Sequence, residues 1–63
     1  MITPVKFYRM TKEMKAKDLA VMAGISVSLL SKIECGRVGC SPRVKAKIAE
    51  ALNISESVLF GAI

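Results

Sequence analysis

The sequence predicts an all-α fold, a compact arrangement of five short helices in which the second and third form a helix-turn-helix. Three observations carry this. Thr3-Pro4 and Ser41-Pro42 each set a hydroxyl N-cap before a proline at the first helical position, where the missing N–H is no loss. Gly24 follows Ala20 by four residues and precedes Leu30 by six, the spacing of two helices joined by a tight turn. Apolar residues recur at helical intervals, as in Val44, Ile48, Ala49 and Leu52.

Each element can be justified in turn. Helix one is expected from Pro4 to Lys12, with Val5, Tyr8 and Lys12 toward or along one side. Helix two is expected from Ala16 to Ala23, stopping at Gly24, where a left-handed turn residue is needed. Ser26 caps helix three, which ends at Cys35; Ala20 provides a small contact surface, and Ile25, Leu30 and Ile33 seat helix three on the core. Gly36-Arg37-Val38-Gly39-Cys40 reads as a basic, glycine-bounded loop. Helix four runs from Pro42 to Leu52 with Asn53 as a left-handed stop, and Ser55 caps a fifth helix carrying Val58, Leu59 and Phe60.

Composition narrows the function. A chain of 63 residues reads as a single domain, residues 1–63, near the lower limit of independent folding. Ten Lys and Arg against five Asp and Glu give a net charge of +5, so polyanions are the expected partners. Cys35 and Cys40, with no histidine and no Cys-x-x-Cys, form neither a disulfide framework nor a zinc site, and both thiols read as buried or idle. No signal peptide or membrane-spanning stretch is visible, which makes a reducing cytoplasm the default. No nucleophile has a base beside it, so an enzyme is not expected; no cofactor, metal or small-molecule ligand is evident.

From Val5 to Phe60 the chain resembles the lambda-repressor and Cro-like helix-turn-helix regulators. Beyond the turn itself, Ile33-Glu34-Cys35-Gly36 resembles the family's end of the recognition helix. Ser41-Pro42 with Lys47-Ile48-Ala49-Glu50-Ala51-Leu52 resembles its fourth helix, and Ile54-Ser55 with Leu59-Phe60 its fifth. The resemblance implies a five-helix DNA-binding domain and a largely buried ion pair between Arg9 and Glu34. It also implies dimer contacts near the C-terminus, here assigned to Val58, Phe60 and Ile63. Departures stand beside the matches. Ala16 replaces a phosphate-contacting glutamine, with Lys15 and Lys17 as substitutes; Glu13 replaces a helix-terminating glycine, and Lys15 a Ser or Thr cap, so the first turn should be less well fixed. Cys35 replaces asparagine.

The expected function is sequence-specific binding of double-stranded DNA by a transcriptional regulator, a repressor acting as a homodimer on a roughly palindromic operator. Lys32 lies one turn beyond Ser28 with Ser31 beside it, so these three and Val27 would face base edges in the major groove. Lys15, Lys17, Arg37, Arg43 and Lys45 would hold phosphates. Phe7, Met10, Val21 and Met22 are apolar where the family usually shows charge, and Val21 and Met22 read as scattered surface hydrophobes. The alternative is a helix-turn-helix used as a protein-interaction module, such as an antitoxin-like partner.

Overall fold

The computed structural model describes residues 3–61. They form α1 (Pro4–Thr11), α2 (Ala16–Ala23), α3 (Val27–Glu34), α4 (Pro42–Leu52) and α5 (Glu56–Phe60), with no strand among the described residues. The first helix ends one residue before the expected Lys12, which serves as its C-cap. Every helix contributes to one core. Leu19 from α2, Leu30 from α3, and Ile48 and Leu52 from α4 are fully sealed, with Val5 from α1 and Leu59 from α5 nearly so. Each such aliphatic side chain contributes about 1.5–3 kcal/mol by leaving water. Ala20 is buried where α2 meets its neighbours, and α2 packs on both α4 and α3, while α5 packs on α1 and α4.

The helix starts follow the hydroxyl signals in three of the four places where they were read. Ser26 Oγ accepts from the Leu29 N–H at 3.0 Å, Ser41 Oγ from Val44 at 3.3 Å and Thr3 Oγ1 from Lys6 at 3.4 Å. Ser55 occupies the N-cap position of α5 but does not cap through its side chain. Its hydroxyl pairs instead with that of Ser57 at 3.3 Å.

Four of the five helices, α1 to α4, end on one device. At Glu13, Gly24, Gly36 and Asn53 the chain turns left-handed, with φ between 54° and 73°. Each of these residues donates its N–H back into the final helical turn, and so does the residue after it, as in Gly24 to Val21 O (3.1 Å) and Ile25 to Ala20 O (3.0 Å). This is the Schellman arrangement. The turn between α1 and α2 is therefore better fixed than the sequence suggested. Glu13 donates to Met10 O at 2.9 Å and Met14 to Arg9 O at 3.0 Å, and the Arg9 guanidinium closes the turn by donating through Nη1 to Met14 O at 2.8 Å. The Arg9 side chain, itself held by Glu34 at the end of α3, supplies what the missing glycine does not. The start of α2 remains as expected, since Lys15 makes no side-chain cap.

Candidate nucleic-acid interface

The third helix divides cleanly into two faces. Leu30, Ile33 and Glu34 are buried, whereas Val27, Ser28, Ser31 and Lys32 are exposed on the far side. With 3.6 residues per turn, Val27 stacks over Ser31 and Ser28 over Lys32, so the four form one surface of small, polar and cationic groups. Leu29, 37% exposed, flanks this surface and was not singled out from the sequence. Leu30 enters the core as its position in the motif predicted, and the packing leaves Leu29 at the edge.

The far end of α3 is held to α1 by polar contacts. Arg9 donates through Nε to Glu34 Oε2 at 2.6 Å and through Nη2 to Oε1 at 3.2 Å, a bidentate pair with the two side chains 13% and 6% exposed. Thr3 Oγ1 donates to the Glu34 carbonyl at 2.7 Å while capping α1. The start of one helix is thereby tied to the end of the other. These contacts satisfy both carboxylate oxygens in a setting where an unpaired charge costs several kcal/mol. They orient α3 without touching its exposed face.

Lys15 and Lys17 stand exposed at the start of α2, Arg37 just past the end of α3, and Arg43 in the first turn of α4. Lys15 makes no side-chain cap, and the first turn of α2 carries the Asp18 carboxylate beside Lys17. Lys45 was grouped with these residues from the sequence, but its surroundings differ. Its ammonium lies 5.6 Å from the centroid of Phe60 and the residue is half-buried, because this side of α4 faces α5. Lys47 is an additional exposed cation one turn after Arg43, and both border a groove with Val21 and Met22. The Arg43-x-x-x-Lys47 spacing could have revealed it.

At the C-terminal end, Val58 is exposed, whereas Phe60 is half-buried against the core beneath Lys45. Ile63 lies outside the described residues. Val58 shares a shallow groove with Pro4, Phe7 and Tyr8, and Phe7 is half-exposed. Val21 is 72% exposed and Met22 53%, each at the surface as read. The thiols were read as buried or idle, and neither is fully buried. Cys35 is exposed, because the end of α3 turns it outward, while Cys40 is half-buried against the core. Burial pushes the Cys40 thiol above its ordinary value, opposed by the smaller effect of the Lys45 ammonium.

The family model described as Helix-turn-helix matches residues 5–59, from Val5 in α1 to Leu59 in α5. The chain belongs to the Cro/lambda-repressor-like, Xre-type helix-turn-helix family of DNA-binding regulators. No curated protein matches its sequence. Among the described residues no helix is long and apolar enough to cross a membrane.

Proposed function

We propose that the chain is a sequence-specific transcriptional repressor, binding a two-fold-symmetric operator as a homodimer through the major groove. The observation that carries this reading is the exposed face of α3, whose side chains match base-edge chemistry while its opposite face is fixed to the core. Lys32 can donate to guanine O6 and N7, the hydroxyls of Ser28 and Ser31 can donate or accept, and Val27 can pack on a thymine methyl. Lys15, Lys17, Arg37 and Arg43 supply sequence-independent phosphate contacts, which set register and account for most of the salt dependence. Repression follows where such a site overlaps a promoter.

Selection of bound duplexes from a random pool, followed by a panel of operator variants, tests the reading. Lys32→Ala should relax preference at one position in each half-site, a discrimination of about 1–3 kcal/mol. Arg43→Ala should weaken all sequences alike and lower the salt slope by about one unit. Identical behaviour of the two variants would remove the base-reading role from Lys32. Failure of any sequence to be enriched would favour a protein-interaction module.

A further inference from the structure

A cleft of about 530 Å³ opens between the loop that follows α3, the start of α1, and α5. Its walls are apolar: Val5, Ile33, Val38, Val58 and Phe60 contribute. Three polar side chains reach it. Thr3 is already committed, donating to the Glu34 carbonyl and accepting from Lys6. The Cys40 thiol carries no formal charge when protonated, and its partial burial further favours that form. Lys45 is the remaining one, a half-buried cation that forms no ion pair among the described residues and has only the face of Phe60 beneath it. Cation–π contact of this kind does not neutralise the charge.

An apolar cleft within the size range of small-molecule sites, about 300–1,000 Å³, with one cation that has no counter-ion among the described residues selects a particular ligand chemistry. The ligand needs an apolar body to cover the walls and a single anionic head to meet the ammonium. We infer that this cleft binds a small apolar carboxylate, held by Lys45 through its carboxylate and by Val38, Val58 and Phe60 through its body. The site is separate from the exposed face of α3. It nevertheless touches Ile33 on that helix and the loop leading from it, so an occupant would bear on how the recognition helix is held.

Methyl NMR on the full chain tests the assignment, using 4-phenylbutyrate as the probe and 4-phenylbutanol as its uncharged counterpart. The acid should produce saturable shifts at the Val38, Val58 and Leu59 methyls and bind about tenfold or more tightly than the alcohol, as a single added ion pair in a partly dry site requires. Lys45→Met should erase that preference while the helical circular-dichroism spectrum is unchanged, and Lys45→Arg should preserve it. Equal affinity for acid and alcohol in the unmodified chain would overturn the proposal, as would shifts scattered outside the cleft or no saturation by about 10 mM. Concentration-dependent shifts at the Val38 and Leu59 methyls without any probe would also overturn it, and would assign the cleft to a second copy of the chain.

Discussion

Glu34 and Arg9 are the two side chains whose loss the structure should tolerate least. The carboxylate is 5% exposed as a residue and receives two guanidinium hydrogen bonds, while the same guanidinium also holds Met14 O. Glu34→Gln would leave Arg9 partly buried without its counter-charge, a loss of about 3–5 kcal/mol. Chains of this size have only about 0.05–0.15 kcal/mol per residue of net stability, so calorimetry should show a melting point lowered by 10 °C or more, or no cooperative transition, on a scale of about 4–8 °C per kcal/mol. An unchanged melting point would rule out a stabilising pair. Arg9→Met combined with Glu34→Leu should recover part of the loss, because it removes both charges together. The two cysteines provide a second measurement. Cys35 is exposed and Cys40 is half-buried with its thiol pushed upward, so less Cys40 thiolate exists at a given pH. A thiol-disulfide reagent at pH about 8 should modify Cys35 first; peptide mapping that found Cys40 modified first would contradict this ordering. The sign for stability follows from the same shift. Native Cys40 holds its proton to higher pH than in the unfolded chain, so its contribution is fully present below the unfolded value and is lost as pH rises through the folded one.

The shared left-handed helix ending makes Glu13 and Gly24 an informative pair. Both donate back into the preceding turn with φ of 54° and 72°, yet only Gly24 adopts this geometry without a side-chain penalty. A left-handed non-glycine residue costs about 1–2 kcal/mol, of which glycine's greater unfolded-state freedom returns about 0.5–1. Glu13→Gly should therefore raise the melting point by a few degrees, while Glu13→Gln, which removes the charge but keeps the strain, should not. Gly24→Ala should lower stability by about 1 kcal/mol through strain alone, since nothing lies within 4 Å of an added Cβ. Equal effects of the Gly and Gln substitutions at Glu13 would assign the gain to charge instead. These ends also show which features a sequence can disclose. Caps at Thr3, Ser26 and Ser41, and the stops at Gly24 and Asn53, were legible because their signals lie within a few residues of the structure they set. The tightness of the first turn was less so, since the Arg9 side chain that reaches Met14 O is also held by Glu34, 25 residues away, and the setting of Lys45 depends on α5 packing beside α4. The exposed positions of α3 followed from period and from the buried Leu30 and Ile33, whereas Leu29 became apparent only once the core was assembled.

A single recognition helix offers four exposed candidate side chains, few for distinguishing one site among many, so specificity should come from two copies acting on one duplex turn. The described body measures 29 × 23 × 21 Å, dimensions comparable with the separation of about 34 Å between adjacent major grooves on one face of DNA that two recognition helices must match. Phe7 and Val58 are the apolar contacts we propose for the meeting of two copies. They share one groove on neighbouring helices, are 51% and 47% exposed, and are absent from the buried core, whereas Phe60 is partly occupied within the monomer. Replacing both with serine should leave the fold intact and act only on association. Sedimentation on a full operator should show two copies of the unmodified chain binding together, even if the free chain is a monomer. The double variant should bind the full site no more tightly than two independent half-sites, a loss of about 10²-fold or more in cooperative affinity. Binding of one unmodified copy per operator, or undiminished cooperativity in the variant, would reject this dimer surface. A reduced full-site affinity with unchanged half-site affinity would instead locate the loss at the contact between copies, because each recognition helix would still read its own bases.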